Sequence, residues 1–385
     1  GVLPVQPAQV VEQLEARTLF EHAQSLVARG RSAVPDHARP IEDSVGSYEL
    51  SGQEGEFVVT TVLMTGFPGF LASALLPRLL DRRDGLRAVC VVQPRHRDAA
   101  EDKLRRLAAD HPHTDGRIVL LDGDITAPNL GLGEEHEDLL ADVREVWHLA
   151  AVYDLAVAPQ LAHRVNVDGT ANVLDFCRSR PVFDRLDYVS TCYVSGDYPG
   201  TFREDDLAEG QHFRNHYEST KYEAEVLVRK AMDDGLPATV YRPGIVVGDS
   251  QTGETQQYDG PYFFATYLRR LPLVSAIPAM KNPDEVRVCL VPRDFVVDAM
   301  DVLSVQDRSI GRTYALSDPN PPTAREVVDL FARHLHKRTV WVPLPLGLTR
   351  DVVAKVPFME QILGLPAEAL DYFVSPTVYD TAHAT

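Results

Sequence analysis

The feature that most constrains the fold is a buried strand that runs directly into a glycine-rich turn. Residues 57–66 read FVVTTVLMTG, an apolar and β-branched run that is typical of a strand covered on both faces. The chain continues as TGFPGFLA and then shows helical spacing over residues 70–83. Such a turn places a pyrophosphate at the positive end of the helix, so the sequence predicts a dinucleotide cradle. The residues assigned to this cradle are Thr65, Gly66, Phe67, Pro68, Gly69 and Phe70.

Five more strands alternate with helices after this turn. The predicted strands lie at 86–93, 117–121, 143–149, 185–190 and 238–242, and the main helices between them lie at 98–109, 159–179 and 216–234. Six strands that alternate with helices indicate an α/β fold built on a doubly wound parallel sheet of the Rossmann type.

Changes of pattern divide the chain into three predicted regions. Residues 1–56 are expected to form an N-terminal helix, at about 8–30, followed by a linker. Residues 57–248 form the Rossmann domain. In residues 249–385 the alternation fades, and we expect a smaller, mainly substrate-binding C-terminal region from which some strands return to the sheet.

Composition argues against several classes of protein. The 385 residues carry 38 Lys and Arg against 56 Asp and Glu, and a net charge of −18 would repel the phosphates of a nucleic acid. No apolar run approaches the ~20 residues of a membrane span, and no signal peptide is evident. The four cysteines are scattered without a C-x-x-C pair, as expected in the reducing cytosol. We therefore expect a cytoplasmic enzyme without a membrane span, a nucleic-acid partner or a metal.

The turn after the second strand indicates which dinucleotide is bound. Enzymes that use NAD place an acidic residue here for the ribose 2′-hydroxyl, whereas this chain has Gln93-Pro94-Arg95-His96-Arg97. Residues 87–106 hold six bases against three acids in a chain that is acidic overall. A 2′-phosphate requires cations at this place, so Gln93, Arg95 and Arg97 predict NADP or NADPH. The alternative is that the arginines only solubilise a helix face.

Two further strand ends are assigned to the same cofactor. Asp124 and Ile125 follow the third strand in DGDI, where a carboxylate can accept a hydrogen bond from the adenine amino group. Ala150 and Ala151 follow the fourth strand in HLAA, where small side chains let the backbone pass beside the nicotinamide ribose. An acidic turn without a ligand is the alternative at Asp124, and His148 is interpreted as a packed strand residue.

A proton-transfer group is predicted where two more elements meet. Tyr217 and Lys221 are four residues apart in HYESTK and share one helix face. A lysine beside the phenol would lower its pKa from ~10 and make it a general acid. Strand five ends in Ser190-Thr191, at the sheet edge where such folds bind ligands. Strand alternation favours Thr191 as the hydroxyl that joins Tyr217 at a substrate carbonyl.

In this order, the motifs TGFPGFLA, DGDI, HLAA, VNVDGTANVL, YESTK and YRPGIVVG resemble the extended short-chain dehydrogenase/reductase superfamily over residues 58–345. Within it the sequence is most similar to fatty acyl-CoA reductases and to the terminal thioester reductase domains of carboxylic acid reductases and megasynthases. The resemblance implies Thr191, Tyr217 and Lys221 as a catalytic triad and places Pro243 and Gly244 beside the nicotinamide. It also implies that Asn166 organises a proton relay, with a purely structural role equally open.

These observations predict an NADPH-dependent reductase of an acyl thioester, carried by CoA or an acyl carrier protein, that gives an aldehyde and possibly an alcohol. One alternative is another extended short-chain enzyme, such as an aldehyde, ketone or hydroxysteroid reductase or a nucleotide-sugar epimerase. Epimerases usually need an acid after strand two, which Gln93-Pro94-Arg95 does not supply. A non-catalytic NADP sensor is a second alternative, and the retained Tyr217 and Lys221 argue against it.

Overall fold

A seven-stranded parallel sheet forms the centre of the computed structural model, which describes residues 60–153, 157–255, 261–279, 282–343 and 376–384. The described strands are β1 (Thr60–Thr65), β2 (Leu86–Val92), β3 (Ile118–Asp122), β4 (Val143–His148), β5 (Arg185–Val189), β6 (Gly200–Phe202), β7 (Ala238–Pro243), β8 (Ile245–Val247), β9 (Val274–Ala279), β10 (Leu290–Pro292), β11 (Thr313–Leu316), β12 (Arg338–Pro343) and β13 (Thr377–Tyr379). The strand order in the sheet is β11-β7-β5-β4-β1-β2-β3. The predicted doubly wound Rossmann architecture is thereby confirmed.

Helices cover both faces of this sheet. They are α1 (Phe70–Asp81), α2 (Arg97–Asp110), α3 (Glu137–Leu140), α4 (Pro159–His163), α5 (Gly169–Ser179), α6 (His216–Asp233), α7 (Pro261–Arg270), α8 (Arg293–Ser304) and α9 (Ala324–His334). Val62 and Met64 of β1 pack into the hydrophobic core that contains α1, α2 and α8, whereas Leu63 packs into the core that contains α5 and α6. This alternation explains why the first strand is apolar at successive positions.

The direction in which successive strands are added to the sheet reverses between β1 and β4. Strand β1 pairs with β2 on one side and with β4 on the other, and the two halves of the sheet are built outward from this point. In open parallel sheets, ligands bind at the carboxyl ends of the strands beside such a reversal. The glycine turn after Thr65 lies at this position.

Two elements differ from the sequence prediction. The helix predicted over 159–179 is interrupted, because residues Arg164–Asp168 form a π-helical turn between α4 and α5. Helix α8 was not predicted; it follows β10 and packs against α1 on one face of the sheet. A strand returning from the C-terminal region is observed: β11 pairs with β7 at the edge of the sheet.

Some of the predicted features lie outside the described residues, namely the N-terminal helix at 8–30, the linker and residues 57–59. All four cysteines are described and are buried free thiols. Within the described ranges, no helix is long and apolar enough to cross a membrane. The same residues contain no group of three or more His, Cys, Asp or Glu side chains arranged to hold a metal ion.

Candidate active site

The glycine turn brings the end of β1 against the loop that follows β4. Gly66 has φ of 94°, and a Cβ atom there would lie 2.8 Å from both the Ala150 amide nitrogen and the Leu149 carbonyl carbon. At Gly69 a Cβ atom would lie 2.5 Å from the Gly66 carbonyl oxygen. A side chain at Gly66 would therefore force the two loops apart, and one at Gly69 would distort the glycine turn itself. The turn thus holds residues 66–69 close to Ala150.

The N-terminus of α1 is suited to a phosphate group. The helix begins at Phe70 with Gly69 as its N-cap residue, and among the described residues no side chain caps it. Its first turn also contains no acidic residue. The first amides of a helix have no intrahelical acceptor and carry a partial positive charge. This end of α1 therefore fits the pyrophosphate of a dinucleotide.

The basic segment after β2 begins with a short 3₁₀ turn at Pro94–His96. Arg95 is exposed, whereas the Arg97 guanidinium donates to Glu101 at 2.9 Å and to Asp122 at 3.0 Å. These acids raise the pKa of Arg97, mainly through the hydrogen bond to Glu101. Of the two predicted cations, Arg97 is thus already paired with carboxylates.

Asp124 lies beside the same basic segment. Burial raises its pKa, but the amide and side chain of Thr126, the Gln93 side chain and the charge of Arg95 together lower it below its ordinary value. The Thr126 amide donates to Asp124 at 2.9 Å. The structure therefore brings the predicted residues Gln93, Arg95 and Asp124 together at the ends of β2 and β3. Ile125 is buried next to them.

A cleft of about 190 Å³ joins the glycine turn to the predicted catalytic residues. Its lining includes the turn and the first residues of α1 together with Thr191, Tyr217 and Lys221. The predicted cofactor residues that line it are Gly66, Gly69, Phe70, Ala151, Pro243 and Gly244. Residues from five separate segments of sequence thus meet in one cavity.

Thr191 and Ser190 both line the cleft, but their hydroxyl groups have different partners. Ser190 Oγ donates to the Glu225 carboxylate at 2.6 Å. Thr191 Oγ1 accepts a hydrogen bond from the Tyr193 amide at 3.3 Å and donates a long one of 3.4 Å to the Pro243 carbonyl. The Ser190 hydroxyl is therefore committed to a carboxylate, while the Thr191 hydroxyl can turn toward a substrate. This supports the choice of Thr191.

Lys221 is almost completely buried beneath the cleft. Its ammonium donates to Tyr188 Oη at 2.9 Å and to the Val189 carbonyl at 2.8 Å, and it lies 4.5 Å from the centre of the Tyr188 ring. Burial lowers the pKa of Lys221 to about 7, although the Glu225 carboxylate opposes this shift. The lysine charge is therefore sensitive to pH near neutrality.

Asn166 lies in the π-helical turn at Arg164–Asp168, a local geometry that is frequent at functional sites. Its side-chain oxygen accepts from the Val152 amide at 2.9 Å, and its nitrogen donates to Thr220 Oγ1 at 3.0 Å. Asn166 therefore links the loop after β4 to the helix that carries Tyr217 and Lys221. A role in a proton relay stays a prediction.

Residues 64–300 match the male sterility protein family. The chain belongs to this family. As a member of it, the chain is an NAD(P)-dependent oxidoreductase of the short-chain dehydrogenase/reductase type, as its motifs predicted. The matched residues include the glycine turn, Thr191, Tyr217, Lys221 and Gly244.

Relatives of this family member occur in large biosynthetic enzymes. It is 28% identical to the nonribosomal peptide synthetase cpsA of Aspergillus campestris, over 79% of this chain and 30% of that protein. It is 26% identical to a polypeptide of linear gramicidin synthase from Brevibacillus parabrevis, over 84% of this chain and 6% of that protein. The chain thus spans less than a third of either relative.

Among solved structures, the terminal R domain of the myxalamid PKS-NRPS pathway aligns with a TM-score of 0.70 and 28% identity. The alignment covers 85% of this chain and 84% of that domain. The likeness therefore extends over nearly the whole of both chains. It confirms the predicted resemblance to terminal reductase domains.

Sequence reasoning missed two aromatic residues of the cleft, Tyr153 and Tyr193. The Tyr153 ring meets the Tyr217 ring edge to face, with centroids 4.9 Å apart and an angle of 85°. Both tyrosines follow the carboxyl end of a sheet strand, β4 or β5, within five residues. Their position at the ligand-binding edge was the signal that would have identified them.

Proposed function

We propose that the chain is an NADPH-dependent reductase that transfers a hydride to an acyl thioester. The observation that carries the proposal is the single cleft between the uncapped N-terminus of α1 and the group of Thr191, Tyr217 and Lys221. The myxalamid R domain and the synthetase relatives support a substrate bound as a thioester to a carrier protein or to CoA.

In this mechanism Thr191 and Tyr217 bind the carbonyl oxygen of the substrate. NADPH, when bound, supplies the hydride. Tyr217 donates its phenolic proton to the oxygen as negative charge develops there. The resulting hemithioacetal then loses its C–S bond and gives an aldehyde and a thiol. A second hydride and proton transfer would convert the aldehyde into an alcohol.

Lys221 has two tasks in this proposal. An ammonium has three N–H bonds, and two of them are used by Tyr188 and Val189. We assign the third N–H bond to a hydroxyl of the nicotinamide ribose. The lysine charge also favours the phenolate that Tyr217 becomes after it has given up its proton. Asn166 is assigned to the positioning of α6 and the loop after β4.

The cofactor residues fit NADPH, and Arg95 is the cation that we assign to the 2′-phosphate. Arg95 is exposed at the end of β2, whereas Arg97 is paired with Glu101 and Asp122. Replacing Arg95 with Ala should weaken NADPH binding about tenfold or more, since a charge-assisted hydrogen bond contributes roughly 1.5–3 kcal/mol. Titration of cofactor fluorescence measures this change.

NADH provides the control for the Arg95 prediction, because it lacks the 2′-phosphate. Arg95→Ala should leave the affinity for NADH nearly unchanged, and Arg97→Ala should weaken NADPH binding less than Arg95→Ala does. Equal losses of NADPH and NADH affinity in Arg95→Ala would contradict the assignment.

The substrate class is tested by following NADPH oxidation with a panel of substrates. The panel contains acyl-CoAs, acyl groups on a carrier protein, the matching free aldehydes, ketones and sugar nucleotides, and the products are identified by mass spectrometry. We expect oxidation with a thioester and release of the aldehyde or alcohol. Turnover of ketones or sugar nucleotides alone would instead favour another extended short-chain enzyme.

A further inference from the structure

Two groups of buried hydrogen bonds lie between Lys221 and the glycine turn. In the first, Lys221 donates to Tyr188 Oη at 2.9 Å, and the second joins Thr170, His148 and Thr65. Thr170 Oγ1 lies 3.0 Å from His148 Nε2, and His148 Nδ1 lies 2.8 Å from Thr65 Oγ1. The side chains of Tyr188, Thr170 and His148 are all buried, at 0–2% exposure. The rings of His148 and Tyr188 have centroids 5.6 Å apart, so the two groups pack against each other.

The hydrogen atoms in the second group have one consistent direction. Thr170 Oγ1 donates to the Asn166 carbonyl at 2.6 Å, so it accepts in its contact with His148 Nε2. The neutral His148 ring then carries its proton on Nε2, and its Nδ1 accepts from Thr65 Oγ1, which itself accepts from the Ala150 amide at 3.2 Å. Burial, with a smaller contribution from the Lys221 charge, lowers the pKa of His148 to about 3, so the ring stays neutral.

Tyr188 contacts the lysine in two ways. Its hydroxyl accepts from Lys221, and the centre of its ring lies 4.5 Å from the same ammonium, so one side chain offers both a hydrogen-bond acceptor and a cation–π contact. Neither contact was predicted from sequence. Tyr188 is not among the residues that line the cleft, whereas Lys221, which it contacts, is.

We propose that Tyr188 is a positioning residue that fixes and stabilises the Lys221 ammonium at the cofactor cleft. The inference rests on the proposed function for the role of Lys221, but not for the contact itself. The titratable groups that face Lys221 are Tyr217 and Glu225, one turn away on either side in α6, with Tyr188 on β5 and the neutral His148 on β4. Of these groups, Tyr188 is the one that accepts a hydrogen bond from the ammonium.

The test is a measurement of the pKa of the Lys221 ammonium in the 385-residue chain. The sequence contains six lysines, so ¹³Cε-lysine labelling gives a simple NMR spectrum in which Lys221→Arg identifies the Lys221 signal. Tyr188→Phe removes the accepting oxygen and keeps the ring. Because a hydrogen bond to a charged group favours the charged form, we expect the pKa of Lys221 to fall by about one unit or more.

The matched control is Tyr314→Phe. Tyr314 is also a buried strand tyrosine, and its hydroxyl bonds to Ser309 at 2.9 Å, away from Lys221. We expect the Lys221 titration to stay at its wild-type position in that variant. A folded Tyr188→Phe protein with the wild-type titration would overturn the proposal.

Kinetics separate this inference from the proposed function. In Tyr188→Phe the alkaline limb of kcat/KM for thioester reduction should move to lower pH together with the NMR titration, since the active lysine is protonated. If no thioester is reduced by the wild-type protein, the proposed function fails, while the NMR titration still decides the role of Tyr188. A titration that moves without any shift of the alkaline limb would contradict positioning for catalysis.

Discussion

Replacing Tyr217 with Phe should lower the rate of thioester reduction by about 10²–10⁴-fold, because general acid catalysis contributes an acceleration of this size. The hydroxyl is the only group of Tyr217 that is lost, and the ring can keep its edge-to-face contact with Tyr153. Cofactor binding should change little, since the helix end and glycine turn that hold the pyrophosphate are untouched. Single-turnover oxidation of bound NADPH measures the rate directly.

A second tyrosine in the same helix provides the control. Tyr222 follows Lys221 and packs against Phe213, with ring centroids 4.9 Å apart, outside the residues that line the cleft. Tyr222→Phe should therefore retain nearly the wild-type rate. If Tyr217→Phe kept more than about a tenth of that rate, the proton would have to come from another group, and the assignment of the general acid would be wrong.

The parts of the site that were predicted from the sequence lie next to local signals. Gly66 and Gly69 follow a buried strand and open a helix, which is a pattern contained in a dozen consecutive residues. Tyr217 and Lys221 share a helix face because their spacing of four matches the helical repeat. Thr191 was selected over Ser190 by strand alternation, and the hydrogen bond from Ser190 to Glu225 agrees with that choice.

The parts that were missed depend on contacts between distant segments. The π-helical turn around Asn166 inserts within a continuous helical pattern, and no residue type in VNVDG marks it. The pairing of Arg97 with Asp122 joins positions 25 residues apart, so the charge count of the segment alone overstated its free cations. Tyr188 lies within the strand predicted at 185–190, and no local pattern indicates that its hydroxyl contacts a lysine 33 residues later.

Glu225 presents the strongest case of such a distant contact, and its replacement should have the largest effect on stability. Its carboxylate is fully buried and accepts from Arg242 Nη2 at 2.6 Å, from Arg229 Nε at 3.0 Å and from Ser190 Oγ at 2.6 Å. Burial raises the pKa of Glu225, but the charges and hydrogen bonds of its partners outweigh burial and lower it below its ordinary value. The carboxylate is therefore ionised at neutral pH.

Replacing Glu225 with Gln should lower the free energy of unfolding by about 3–5 kcal/mol, because it leaves the Arg242 guanidinium buried without its carboxylate. The matched control is Glu223→Gln on the same helix. Glu223 has a side chain 47% exposed and lies 3.7 Å from His163, so we expect a change within about 0.5 kcal/mol. Urea denaturation of the three proteins measures the difference, and a loss below about 1 kcal/mol in Glu225→Gln would contradict the prediction.

The buried pair of Glu225 and Arg242 also determines how the stability of the protein should depend on pH. The lowered pKa of Glu225 means that its stabilising contribution is present above the ordinary carboxyl value of about 4.3 and is lost as the pH falls through the lower folded-state value. The wild-type and Glu225→Gln proteins should therefore become more alike in stability as the medium is acidified.

Replacement of Glu225 should also affect the cleft. Arg242 precedes Pro243 and Gly244, and Ser190 precedes Thr191, so we expect loss of the Glu225–Arg242 pair to loosen both of these cleft-lining segments. Glu225→Gln should thus reduce turnover even at temperatures where the protein remains folded, whereas Glu223→Gln should not.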